Sequence, residues 1–244
     1  MSLLIRSNFK KLFLSRIFYY LLFGFMLFGA AVCVLSYFNA DIGKNPDFSI
    51  CPISVLLMLP ITSAAFAGIF ISADFTFGTI RNKLIVGHSR KSIYFADVIT
   101  VSAAVLMFYI AYEVVAFVLG AVFFNLSAFS AETIVKELLV IAVLLTANTF
   151  VSVAAVYMVK DTKSTILAFM LQYALMFAGM PMDMGGTIDK VFKVFSRFSP
   201  QGLAFSMTIS DMPEKIWLNI LCTVAFGIVS TIGAVYYFNK CDLK

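Results

Sequence analysis

Histidine and charge are both scarce in this chain. His88 is the single histidine in 244 residues, which excludes His-cluster metal sites and most His-based catalysis within one chain. Charged residues make up only 13%, against roughly 25% in a soluble domain. A soluble fold of this size would have too little polar surface to cover itself. Four cysteines (Cys33, Cys51, Cys222 and Cys241) show no CxxC spacing, so neither a zinc ribbon nor a redox pair is expected. No GxxxxGK[ST] run exists; Gly43, Lys44 and Asn45 lack both the leading glycine and the hydroxyl residue. The chain therefore cannot hold nucleotide through a P-loop. GxSxG and HExxH are missing as well.

What is abundant is apolar. Hydrophobic residues reach 61%, including 27 Phe and 10 Tyr, and mean hydropathy is +0.97. The apolar runs are long and unbroken, which suits helices and not the short alternating segments of a β-barrel. The expected class is an all-α polytopic membrane protein forming one transmembrane domain over residues 1–244. A leader of 1–16 precedes six spans at about 17–38, 53–73, 98–124, 138–159, 165–182 and 217–238, each near the ~20 residues that cross a bilayer. An even number of spans puts both termini on one side.

Basic residues select that side. Arg6, Lys10, Lys11 and Arg16 precede the first span, and Arg81, Lys83, Arg90 and Lys91 follow the second. Lys160, Lys163, Lys240 and Lys244 share their side, which makes both termini cytoplasmic by the positive-inside rule. The net charge of +5 is scattered between apolar runs, so nucleic acid is not an expected partner. Cys51 alone faces outward, and no intrachain disulfide is expected.

Three segments are more than simple connections. In the leader, Ile5, Phe9, Leu12 and Phe13 recur at helical spacing, with Arg6 and Lys10 on another face. This fits an amphipathic helix at the interface, apolar side in lipid and basic side toward anionic headgroups; a positively charged topogenic leader fits too. Between the second and third spans, residues 74–92 mix Ile80, Leu84 and Ile85 with Arg81 and Lys83. Ile80 and Leu84 at i, i+4 fit a short helix presenting an apolar ridge. Gly87 reads as its C′ stop, and Ser89 as a cap for the next helix. A solvated positive-inside loop is the competing description. Past the fifth span, 183–215 combines a stripe of Ile188, Val191, Phe192, Phe195 and Phe198 with a break at Ser199-Pro200. It reads as an outer interfacial helix followed by a re-entrant segment.

Intramembrane polar groups are few. Glu113, Asn148 and Gln172 fall near the middles of the third, fourth and fifth spans, at an expected common depth. They fit either hydrogen-bonded packing groups or the lining of a translocation path. Asp97 and Glu137 fall at span ends, where a charge can reach water. A self-contained channel or ion-coupled carrier would have to rely on Glu113.

The stretch Phe77-Gly78-Thr79-Ile80-Arg81-Asn82-Lys83-Leu84, followed by Gly87 and Ser89-Arg90, resembles the segment after the second span in ABC-2-type permeases. These are membrane subunits of bacterial ATP-binding cassette exporters. The basic leader, the six spans and Phe198-Ser199-Pro200 before the last span extend the likeness over the whole chain. Asp74 departs from it, since many relatives carry Glu there. The resemblance implies a half-transporter in the bacterial cytoplasmic membrane, dimerising with itself or a closely related permease. Two separate P-loop ATPase subunits would drive it, with ATP and Mg held by them and no cofactor bound by this chain. Gly78, Thr79, Ile80, Arg81, Asn82, Lys83 and Leu84 would form the coupling helix that docks on the ATPase. Arg81 and Lys83 would meet its acidic rim. The implied cargo is peptide, drug or lipid-like, moved outward or expelled in self-protection.

Overall fold

Long apolar runs become helices because hydrocarbon offers no partner for backbone N–H and C=O groups, which must bond within their own segment. The computed structural model describes residues 1–39, 54–123, 131–161, 163–179 and 216–240. Among these the regular structure is helical throughout: α1 (Ser2–Leu14), α2 (Arg16–Asn39), α3 (Val55–Thr76), α4 (Thr79–Ile85), α5 (Arg90–Phe123), α6 (Ala131–Val159), α7 (Lys163–Gly179) and α8 (Ile216–Lys240). The expected outer segment 183–215 lies outside the described residues, as do Cys51 and Cys241.

Among the described residues, five helices are long and apolar enough to cross a membrane: α2, α3, α5, α6 and α8. The fifth expected span, 165–182, corresponds to α7, whose 17 residues extend about 25 Å at 1.5 Å per residue. The third span departs most from expectation. Its helix starts at Arg90, not near residue 98, because Ser89 and Ser92 bond each other in a cap at its start, Asp97 finds partners inside the protein and hydropathy alone does not mark the helix start.

The bundle has a centre and a periphery. α3 and α6 bury 67% of their apolar windows, whereas α2 and α8 bury 22% and leave the rest for lipid. α2 lies along α5, α8 along α6, and α3 against both α6 and α7. Lipid tails are as apolar as leucine, so close backbone approach and van der Waals packing hold such helices together. Gly68 shows this directly. A Cβ there would stand 2.5 Å from Thr165 Cα, so α3 and α7 touch almost backbone to backbone. Between α2, α3 and α5, the rings of Phe18, Phe25 and Phe66 surround Phe108 at centroid distances of 5.4–5.8 Å.

α1 does not lie free in the interface with its apolar side in lipid. Ser15 adopts extended backbone and turns the chain, and α1 packs along α5. Leu4, Asn8 and Leu12 are buried, and Ile5 and Phe9 pack beside them. The face turned to the protein is therefore partly polar. Arg90 donates to the carbonyls of Phe238 (2.5 Å) and Asn239 (3.2 Å) at the end of α8. The first helix packs along α5 and the end of the last bonds the start of α5, which puts both at the same end of the bundle.

Candidate functional site

α4 owes its place to two glycines. Gly78 leaves α3 at φ 67 and Gly87 ends α4 at φ 95, conformations that a side chain would disfavour. His88 N–H bonds the Lys83 carbonyl (3.2 Å) and Gly87 N–H that of Leu84 (2.9 Å), the paired bonds of a Schellman stop. Ser89 Oγ then accepts from Ser92 N–H at 3.2 Å and caps α5. Both punctuation marks expected from the sequence are in place.

The apolar ridge is not where the sequence placed it. Ile80 is 2% exposed and sits in the protein's own core, with Leu84 packed against that core. The outward face carries Phe77 (81% exposed), Ile85 (74%) and Val86 (77%), with Arg81 and Asn82 exposed between them. The cause lies in the neighbouring helices: α1 and α5 offer α4 an apolar surface, and Ile80 and Leu84 fill it. Thr79 is half-buried at the start of the helix.

Lys83 also turns inward, so it does not present its charge to a partner's rim. Its ammonium donates to Asp74 Oδ2 at 2.8 Å and to Asn8 Oδ1 at 3.3 Å. The second oxygen of Asp74 accepts from Lys11 at 2.6 Å, and Lys11 also bonds the Phe70 carbonyl at 2.7 Å. Asn8 continues the chain, donating to Asp97 Oδ1 at 2.6 Å. Tyr157 O–H donates to Asp97 Oδ2 at 2.5 Å. Two lysines thus share the Asp74 carboxylate, Asp97 is held by the neutral Asn8 and Tyr157, and six side chains from α1, α3, α4, α5 and α6 form one bonded chain. Asp97 is 1% exposed, a correction to its expected contact with water. Burying such charges is costly unless partners surround them, and here each carboxylate oxygen has one.

This cluster was not anticipated. A signal did exist in the leader: Asn8, Lys11 and Leu12 share a face with Leu4 by helical spacing, which is odd for a purely lipid-facing stripe. Beside the cluster, Tyr157 packs edge-on against Tyr94 (4.8 Å), Phe238 (4.9 Å) and Phe75 (5.4 Å), so the polar chain ends in an aromatic wall.

The mid-span polar residues separate into two places. Gln172 Nε2 donates to the Asn148 carbonyl (3.1 Å) and to Ser152 Oγ (2.9 Å), joining α7 to α6. Asn148 Nδ2 donates to Leu144 O at 3.0 Å. Glu113 is buried on α5, one turn from Tyr109 with which it interacts. Tyr109 O–H reaches the Leu138 carbonyl at 3.4 Å. Ten residues of α6 separate Leu138 from Asn148, about 15 Å of helix. The expected common depth therefore fails: Asn148 and Gln172 meet, and Glu113 stands nearer the far end. The antiparallel register of α5 and α6 sets this offset, which counting from span ends does not capture.

Among the described residues no group of three or more His, Cys, Asp or Glu could hold a metal ion. No individual curated protein matches the chain. A sequence model of the ABC-2 family transporter proteins does match, over residues 4–180, a stretch that runs from α1 through α7 and contains the whole α4 cluster. Membrane proteins of this family are the permease components of ABC transporters and generally work with a partner ATPase. With its long apolar helices, this chain is a multi-pass membrane protein that belongs to the ABC-2 family of transporter proteins.

Proposed function

We propose that this chain is the six-span permease domain of a bacterial ABC exporter, with both termini cytoplasmic and α4 as the element that docks on a separate P-loop ATPase. The observation that carries the reading is the outward face of α4. Phe77, Ile85 and Val86 are large, apolar and exposed beside Arg81 at the end of the bundle where basic residues gather. Exposed apolar groups edged by charge mark protein contacts. Six crossings, with α7 as the short one, agree with the first helix and the end of the last lying at one end of the bundle.

Two permease copies, or two related ones, would pair with two ATPase subunits that hold ATP and Mg. Glu113 and the Asn148–Gln172 pair are the candidate path residues, now as two stations and not one ring. The cargo would be peptide, drug or lipid-like.

Expression with the flanking reading frames and purification through a tag on this chain should bring down a P-loop ATPase in equal ratio. Changing Ile85 and Val86 together to Asp should abolish that capture, since breaking an interface centre costs about 2 kcal/mol or more. The membrane domain should still insert. Retained capture by a folded double variant would defeat the docking assignment. Single cysteines at Asn82 and Lys163 should resist labelling from outside, while Asn45 and Ser127 label; outside labelling at Asn82 would overturn the topology.

A further inference from the structure

We infer that Lys83 is a positioning residue that converts movement of α4 into movement of the bundle, through Asp74 on one side and through Asn8, Asp97 and Tyr157 on the other. The inference rests on the reading of α4 as the docking element.

α4 has only seven residues and lies between two glycines at positive φ, so it can move as a unit about its ends. Its outward residues are free to meet a partner, and what ties it to the rest of the chain lies on its inner face. Ile80 contributes apolar contact, which is non-directional and tolerates sliding. Lys83 contributes directed bonds. One runs to Asp74 at the foot of α3, where Lys11 of α1 shares the same carboxylate. The other runs to Asn8, which holds Asp97 of α5, which in turn holds Tyr157 of α6. Asn8, Asp97 and Tyr157 are buried, so water is not at hand to replace a broken bond. Displacing α4 must therefore carry α1, α3, α5 and α6 with it or break the chain. A lysine that only stabilised the fold would need one carboxylate; this one joins two branches that together reach every helix of the cluster.

The test uses the full transporter with its ATPase, reconstituted in lipid nanodiscs. A fluorophore on a single cysteine replacing Val122, exposed near the far end of α5, reports whether ATP moves that end. In Lys83→Met the ATPase should stay bound and keep hydrolysing, while the ATP-dependent fluorescence change falls about 2- to 30-fold, the range for residues that carry coupling. Lys83→Arg should restore most of the signal. Tyr157→Phe, which keeps the ring and removes one bond of the chain, should lower the signal too. Its effect should not add to that of Lys83→Met, because both cut the same linkage.

A full fluorescence response in Lys83→Met, or additive effects of the two changes, would overturn the inference. Loss of the bound ATPase from Lys83→Met alone would also overturn it, by making Lys83 a docking residue. If Lys83→Met fails to insert, Lys83→Gln, which removes the charge but keeps a donor on that side chain, is judged by the same readings. Failure of the unmodified chain to bind an ATPase would instead defeat the docking assignment, a result read without any variant.

Discussion

Two of the regions where the bundle buries polar side chains differ in kind. At the α4 end, Asn8, Lys11, Asp74, Lys83, Asp97 and Tyr157 bring side chains from five helices, ionic groups among them, into one bonded chain. Midway along, Gln172, Ser152 and the Asn148 carbonyl join two helices with neutral groups only. The first arrangement is expensive to disturb, because removing one partner strands a buried charge. The second is cheap, because an amide that loses a partner in a membrane bundle finds another. On the docking role proposed above for α4, the first would be a firm joint where force enters and the second a lightly held interior where helices can shift.

Asp74→Leu should give the largest effect. It would strand Lys83 and Lys11, and breaking a buried pair costs about 3–5 kcal/mol, so the yield of monodisperse protein on size exclusion should collapse. A stable, well-folded Leu variant would show that the joint is not held by charge.

Gly68→Val comes next. Its side chain would collide with the Thr165 backbone and push α7 from α3, with overpacking costing about 1–3 kcal/mol. Thermal unfolding in detergent should show a clear drop, and Gly68→Ala a smaller one. An unchanged midpoint for Val would mean that the contact between α3 and α7 is looser than its geometry.

Gln172→Leu sharpens the other side of the comparison. Losing its interhelical bonds should cost about 0.6 kcal/mol and no more than about 1.7, a small shift in the same unfolding assay. A loss as large as that of Asp74→Leu would erase the distinction between the two regions.

Glu113→Gln should change least, under about 0.6 kcal/mol, because it keeps shape and most hydrogen bonding. ATP turnover should be unaltered. Slower transport of cationic cargo by this variant would assign the carboxylate to the path; unchanged transport of every cargo tried would assign it to packing.

Much of this was legible in one dimension because the bilayer is a simple solvent. Scarce charge, long apolar runs and the Gly78–Arg90 punctuation fixed a helical membrane protein, the place of α4, its stop at Gly87 and the cap at Ser89. These depend on local backbone chemistry and on transfer of whole segments, which neighbouring residues decide. Which face of α4 looks outward was not legible. Ile80 and Leu84 make as good a ridge as Phe77, Ile85 and Val86 until α1 and α5 take up one of them. The joint was hidden for the same reason: Asn8 and Asp97 are 89 residues apart, and Asp97 and Tyr157 are 60. Asp97 looked like a carboxylate at a span end with water at hand, and only the packing of five helices removed the water and supplied the partners. Sequence by itself determined the solvent, the class and the punctuation; tertiary structure decided which polar groups meet, because the energy of a buried charge depends on what surrounds it and not on its place in the chain.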